Sequence, residues 1–306
     1  MRKELQRHSG PPRVAANGAV WLPVPGWNEH WIWAGFSTRK GGLSRAWCAE
    51  GAPGELNLGL SREENLEITL ANRRLFVEAV TGDPETPLST LRQIHSKHLV
   101  MARGEQGAAK GDGLLAAQPG LLAAVQTADC IPVLVADRRK KAVASFHAGW
   151  RGTARRIAEA GIGRMRLEFG SRPEDLIAAI GPGIGACCYA VGEEVLCEFE
   201  SQFAYANELF HEVEDADPIR RKYPLLFLSQ RAPGHLSMGP SVHLDLAEAN
   251  RRQLLDAGLG AEAIQVLGGC TACRPDLFFS HRASQGHAGR MMAVVGIRPG
   301  KNKRGS

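Results

Sequence analysis

Residues 126–152 read QTADCIPVLVADRRKKAVASFHAGWRG, and their spacing places a thiol and an imidazole at matching ends of one hairpin. The apolar runs 132–137 and 142–147 predict two strands, with Arg138, Arg139, Lys140 and Lys141 as the tip between them. If Asp137 faces Ala142, the antiparallel register sets His147 opposite Pro132. Cys130 lies two residues further along and on the same face, because side chains alternate with period two. That diagonal separates the two Cβ atoms by roughly 7 Å, close enough to share a metal ion or exchange a proton. The stretch therefore predicts an active centre at the end of a sheet.

Two imidazoles and a thiolate suit a catalytic zinc, which takes three protein ligands and leaves its fourth position open. Cys130 and His147 supply two of them, and His95 or His98 the third. On a single extended strand those two histidines lie on opposite faces, so the pattern does not choose between them. Asp129 either orients His147 or fixes the turn before Cys130. Against this stands the bland alternative that an isolated Cys or His in a strand is a buried structural residue. The polar neighbours Thr127, Asp129 and Arg151 favour the functional reading.

Other motifs weigh less. Cys270-x-x-Cys273 lacks the second pair of a structural zinc knuckle, and the adjacency of Cys187 and Cys188 opposes their completing a tetrahedral site. We read this group as structural. The glycine-rich turns at 39–42 and 181–185 offer backbone N–H groups to an anion, with Arg39 and Arg282 as candidate phosphate or substrate donors. A His₂Cys set is also a copper set, but a multicopper oxidase needs further histidine pairs, and the ten histidines form no H-x-H. Copper chemistry is not expected.

The net charge of +5 is a property of the ends: residues 1–13 contribute +3 and residues 298–306 contribute +4, leaving the body at −2. A folded basic groove for nucleic acid is therefore not expected. No apolar run approaches the roughly 18 residues of a membrane span. The basic start lacks the apolar middle of a secretory signal, so a cytoplasmic location with reduced cysteines is expected.

The chain reads as a basic disordered segment over 1–19, a catalytic domain over 20–298 and a basic tail over 299–306. Strands are expected over 31–37, 121–126, 176–180 and 291–297, with an extended run over 91–101. Asp112 follows in a glycine-rich turn, and residues 39–42 read as another turn. Ser61 and Glu64 predict a capping box for a helix reaching about Val80, with Gly82 beyond it. Ala158, Ile162, Met165 and Phe169 mark a second helix with Thr153 as its candidate cap, although Gly161 and Gly163 weaken it. Val191, Val195, Phe199 and Phe203 mark a third, and Asp245 with Glu248 opens a fourth that ends before Gly258. Residues 211–241 read as a Pro-broken loop. Irregular alternation of strands and helices predicts a single-domain α+β fold.

FSTRKGG, NLGL, RQIHS, QTADCIPVLVAD, FHAGWRG, AIGPGIGACCYAVGEEV, HLDLAEANRRQLL and CTACRPDLFFSHR follow one another in the order of the YfiH/laccase-domain family, which the chain resembles over about 31–297. The resemblance implies a sandwich of mixed β-sheets with flanking helices, a fold grouped with cysteine hydrolases. It selects His95 over His98 as the partner of Cys130 and His147 in a zinc-binding triad. It further implies phosphorolysis of adenosine, inosine and methylthioadenosine, with adenosine deaminase activity beside it, so the partners are a purine nucleoside and phosphate. The alternative is a metal-free cysteine hydrolase or deamidase that uses Cys130 and His147, with a role in cell-wall precursor quality control. The chain departs from the family in Gly113-Leu114-Leu115 after Asp112, in FSHR for FSYR, and in the long stretch before HLDL. None of these touches the triad, and the oligomeric state is not legible.

Overall fold

The computed structural model describes residues 10–27, 30–48, 50–213 and 241–300. Its strands are β1 (Arg13–Val14), β2 (Val20–Pro23), β3 (Ile32–Ser37), β4 (Lys40–Ser44), β5 (Leu88–Arg92), β6 (Leu99–Met101), β7 (Gln106–Lys110) and β8 (Gly113–Ala116). There follow β9 (Leu122–Thr127), β10 (Ile131–Asp137), β11 (Ala142–Ala148), β12 (Leu176–Ile180), β13 (Phe210–Val213), β14 (Ser241–Leu244), β15 (Ile264–Val266) and β16 (Met291–Ile297). The helices are α1 (Leu66–Thr81), α2 (Trp150–Ala154), α3 (Ile157–Phe169), α4 (Glu193–Gln202) and α5 (Leu246–Asp256).

The central hairpin forms in the expected register. Asp137 pairs with Ala142 and Pro132 with His147, and each arm runs one residue further, to Ile131 and Ala148. The tip closes because the Asp137 carboxylate accepts the N–H groups of Arg139 and Lys140 at 2.8 and 2.7 Å. β10 and β11 lie in a six-stranded sheet of order β15-β12-β10-β11-β8-β6. A seven-stranded sheet of order β1-β2-β3-β16-β9-β5-β7 covers one of its faces.

Period-two alternation sorts the hairpin between two cores. Val133 and Val135, with Ala144 and Phe146, point to the helical side, where they meet Ile157, Ile162, Met165, Phe199 and Leu254. Leu134, Ala136 and Val143 point between the sheets, toward Phe36, Val125, Met291 and Val295. α1 covers the outer face of the seven-stranded sheet through Phe76 and Val77. The result is the expected α+β single-domain sandwich of mixed sheets with flanking helices. Gly161, a weak helix former, has a packing reason: a Cβ there would come within 2.2 Å of the Phe146 ring. A glycine inside a helix costs about 1 kcal/mol relative to alanine, which burial of a Phe side chain, about 1.5–3 kcal/mol, offsets.

Several local expectations are corrected. α1 begins at Leu66 with Asn65 as its cap, its side chain accepting the Glu67 N–H, whereas Ser61 caps only the local turn at Glu63. Gly82 does end this helix, at φ 86°. Residues 40–42 are strand instead of turn, and the glycines permit close backbone packing: a Cβ at Gly41 would collide with Gly18 and one at Gly42 with Glu55. The 91–101 run is broken between β5 and β6 by a turn in which His95 has φ 56°. Thr153 lies inside α2, and α3 starts after Arg156 in a left-handed conformation. Asp245 caps α5 as expected, accepting the Glu248 N–H at 3.0 Å.

The fold starts earlier than Val20, since Arg13 and Val14 pair with Trp21 and Val20. Within the expected loop 211–241, residues 211–213 belong to β13 and Ser241 to β14, two strands that pair with each other. Its residues 214–240 lie outside the described residues, as do 1–9 and 301–306 of the two basic ends. Among the described residues no helix is long and apolar enough to cross a membrane.

Candidate metal centre

The Asp129-Cys130 turn precedes β10, His147 sits near the end of β11, and His95 occupies the turn between β5 and β6. One ligand atom from each of His95, Cys130 and His147 lies within 4.8 Å of the other two. The two imidazole rings meet edge to face with centroids 5.0 Å apart. His147 is buried, Cys130 half-buried and His95 exposed, so the group opens to solvent on the His95 side. His98 is not in the group; its carbonyl instead accepts the N–H groups of Asp112 and Gly113.

Asp112, in the turn between β7 and β8, organises the centre from behind. Its Oδ1 lies 2.9 Å from His147 Nδ1 and accepts the His95 N–H at 3.0 Å. Its Oδ2 accepts the N–H and hydroxyl of Ser96 at 2.6 and 2.7 Å, and its backbone carbonyl accepts the His147 N–H. One buried carboxylate thus fixes both the imidazole and the strained turn that carries His95. With Nδ1 occupied, Nε2 of His147 is the nitrogen that faces Cys130. Burial pushes the Asp112 carboxyl up, but the bonds from His147 and Ser96 outweigh it and bring its pKa down to about 2.

Orienting His147 is one of the two roles expected for Asp129, and the structure gives it to Asp112. Asp129 accepts from the Thr271 hydroxyl and from the Arg282 N–H, both at 2.6 Å. These bonds hold its backbone at φ 89°, a conformation costly for a non-glycine residue, and so set the direction of Cys130. Arg282 reaches the same neighbourhood: its Nη1 donates to the Ala190 carbonyl, and its guanidinium lies 5.2 Å from the Tyr189 ring centroid. Tyr189 feels the charges of Cys130, Arg282 and Asp129, which places it beside the centre. Arg39, the other candidate phosphate donor, has its guanidinium bound by Glu55 and the Pro275 carbonyl, 4.7 Å from the Phe279 ring centroid.

Sequence reasoning missed Asp112 and Tyr189. Its place in a glycine-rich turn, just before the Gly113-Leu114-Leu115 departure from the family pattern, was the one available signal for Asp112. Tyr189 directly follows Cys188, and nothing in its spacing pointed to the centre.

The donor set fits zinc. Two imidazoles and a thiolate leave one tetrahedral direction open, and a carboxylate stands behind His147 as in carboxylate–histidine–zinc arrangements. Gly149 keeps the space clear, since a Cβ there would lie 2.8 Å from Cys130 Sγ and 3.2 Å from His95 Cδ2.

Without a metal the same residues form an ion pair. Burial raises the Cys130 thiol, but the charge and hydrogen bond of His147, then those of His95, outweigh it and lower its pKa to about 6. Burial lowers His147, but Cys130 and Asp112 outweigh that and raise it to about 9. A lowered acid is thiolate above its folded value, and a raised base stays protonated below its own, so the pair exists between these two pH values. In chelator-treated protein, alkylation of Cys130 by iodoacetamide is expected to rise through about pH 6 and then level. In His147→Ala the midpoint should move toward the ordinary thiol value. Equal profiles for the two proteins, read by peptide mass spectrometry, would refute the pairing.

Residues 33–298 match the family described as multi-copper polyphenol oxidoreductase laccase. A protein of Deinococcus radiodurans named purine nucleoside phosphorylase is 34% identical over 262 residues, covering 86% of this chain and 88% of its own length. The purine nucleoside phosphorylase YlmD of Bacillus subtilis is 30% identical, covering 89% of this chain and 90% of its own. Among solved structures, Bacillus licheniformis YfiH superposes with a TM-score of 0.75 at 29% identity, covering 94% of this chain and 99% of its own. YlmD of Geobacillus stearothermophilus gives 0.72 at 31%, covering 91% and 96%. The copper in the family description does not extend to the names of these relatives. With the family matched over residues 33–298 and the fold shared with solved YfiH and YlmD structures over more than nine tenths of the chain, this chain belongs to the multi-copper polyphenol oxidoreductase laccase family.

Proposed function

We propose that the protein is a purine nucleoside phosphorylase with a zinc centre at His95, Cys130 and His147. The convergence of these three ligand atoms within 4.8 Å carries the reading, supported by the names of the relatives. In the reaction a phosphate oxygen bonds to the anomeric carbon of ribose while the bond to the purine nitrogen breaks, and the departing base takes up a proton. When bound, zinc supplies a Lewis-acidic charge beside the reacting groups. Asp112 holds His147 in one tautomer and keeps the His95 turn in place. Arg282 brings a cation for phosphate, and Tyr189 an aromatic wall for the base. Asp129, its oxygens bonded to Thr271 and Arg282, positions Cys130 and is not the proton donor. Holding nucleoside and phosphate together in this way lowers the barrier chiefly through orientation and charge stabilisation.

Zinc-loaded protein is expected to release hypoxanthine from inosine only when phosphate is present, and to lose this activity on chelation. Phosphate-independent release, or none from zinc-loaded protein, would overturn the reading. With adenosine, inosine accumulating without phosphate would reveal the deaminase activity implied by the resemblance.

The thiolate–imidazolium pair backed by Asp112 favours one second reading, a cysteine hydrolase with Cys130 as nucleophile and His147 as base. Turnover that survives chelation but not alkylation would select it.

A further inference from the structure

Outside this centre, four thiols converge on one point. Cys187 and Cys188 follow β12, Cys270 and Cys273 follow β15, and their four sulfurs all lie within 4.8 Å of one another. The convergence continues the sheet. β12 and β15 are parallel neighbours, and beyond their ends Leu267 N–H donates to the Ile180 carbonyl, Thr271 N–H to the Gly183 carbonyl, and Gly183 bridges Cys270. The two chains therefore leave the same edge side by side. The adjacency of Cys187 and Cys188, expected to oppose a tetrahedral site, would do so in extended chain, where neighbours point apart. Here 186–188 form a turn, with the N–H groups of Cys188 and Tyr189 both on the Gly185 carbonyl. Both sulfurs face Cys273, at 3.5 Å from Cys187 and 3.3 Å from Cys188.

We propose that Cys187, Cys188, Cys270 and Cys273 form a second metal site, a tetrathiolate that takes a thiophilic divalent cation of the zinc class and has a structural role. A zinc–sulfur bond of about 2.3 Å puts the sulfurs of a tetrahedron roughly 3.8 Å apart; the two edges to Cys273 are a few tenths of an ångström shorter, and the remaining edges, within 4.8 Å, need at most about 1 Å of closure. These separations are well beyond the roughly 2.05 Å of a disulfide. The Cys270 sulfur accepts the Gly185 N–H at 3.2 Å and a second backbone N–H from Cys273, bonds that suit a thiolate held in a knuckle. Arg274 N–H closes that turn on the Cys270 carbonyl at 3.1 Å. Gly185 admits the group, since a Cβ there would stand 3.3 Å from both Cys187 Sγ and Cys270 Cβ. Burial and the neighbouring thiols raise Cys187 to about 12 and push Cys188 up as well, while Cys270 is lowered by its N–H donors against the effect of burial. A divalent cation supplies the charge that lets all four ionise, releasing their protons.

All four ligands complete the shell, so this metal takes no part in chemistry. Its effect on the first centre runs through Asp129. Thr271, between the two cysteines of the knuckle, donates to the Asp129 carboxylate, and Ile184, on the other loop, donates its N–H to the Asp129 carbonyl at 2.8 Å. A metal that joins these loops holds the residue that aims Cys130.

Native mass spectrometry and elemental analysis of the anaerobically purified full chain should find two zinc per chain. Cys130→Ala and Cys273→Ser should each lose one. Cobalt added to metal-stripped Cys130→Ala should give strong thiolate-to-cobalt charge-transfer bands and the visible bands of tetrahedral cobalt. One metal in the wild type with none in Cys130→Ala, or cobalt spectra without thiolate bands in that variant, would overturn the proposal. A disulfide joining Cys273 to Cys187 or Cys188 in the fresh protein would do the same. If Cys273→Ser does not fold, the wild-type stoichiometry and the Cys130→Ala cobalt spectrum still decide.

Discussion

Cys130→Ala is expected to lower phosphorolysis by about a thousandfold or more while the protein stays folded. A metal's charge in a transition state is worth several kcal/mol, and about 4 kcal/mol corresponds to a thousandfold in rate. Removing one of three ligands, and the only anionic one, takes most of that with it. The structural cost is small because the exchange deletes a single half-buried sulfur, and the pairing of β10 with β11 and β12 does not involve it. The melting temperature and far-ultraviolet circular dichroism should stay near wild type, while kcat/KM for inosine collapses. Turnover retained at wild-type level would remove Cys130 from the mechanism in both the zinc and the cysteine-hydrolase readings.

Asp112→Ala should damage stability and metal binding together. Its carboxylate serves the His147 ring, the Ser96 hydroxyl and the backbone N–H groups of His95 and Ser96. Deleting it strands a buried imidazole and unpairs amides in a turn that already holds His95 at positive φ. Breaking a buried pair from one side costs about 3–5 kcal/mol. For a chain of this size that lowers the melting temperature by roughly 5–10 °C. Loss of a carboxylate behind a ligating histidine also weakens metal affinity about 10–100-fold. Asp112→Asn keeps the shape and a neutral acceptor, so it should recover much of the stability and little of the affinity. Zinc affinity unchanged in both variants, measured by competition with a chromophoric chelator, would show that Asp112 is structural alone.

What could be read from the sequence follows the range of the interactions involved. The register of β10 and β11 needed only alternation and a four-residue tip, and Pro132 faces His147 as that arithmetic required. β12 and β16 were also legible in full, as buried apolar runs with clear ends. His95 was not separable from His98 by pattern, because the positive φ at His95 turns the chain where an extended run was expected. Asp112 acts through bonds to residues 16 and 35 positions away, and Asp129 through bonds across 142 and 153 positions. No local pattern records such partners. At α1 the expected cap Ser61 holds only the turn at Glu63, and Asn65, directly before the apolar face, caps the helix. Nor does a local pattern record the ion pair of Arg39 with Glu55, 16 positions away.

β16 stands in the middle of the seven-stranded sheet, hydrogen-bonded to β3 on one side and to β9 on the other, although it comes last in sequence among the described strands. On the ribosome, β3 and β9 are made long before the strand that joins them. Until Ile297 clears the exit tunnel, each presents a free edge that suits a neighbouring nascent chain as well as it suits β16. A premature stop ahead of Met291 therefore yields a sheet split down its centre and not a slightly shorter protein. The sheet closes only after β16 is made, so the inner edges of β3 and β9 stay unpaired while every strand between them and β16 is synthesised.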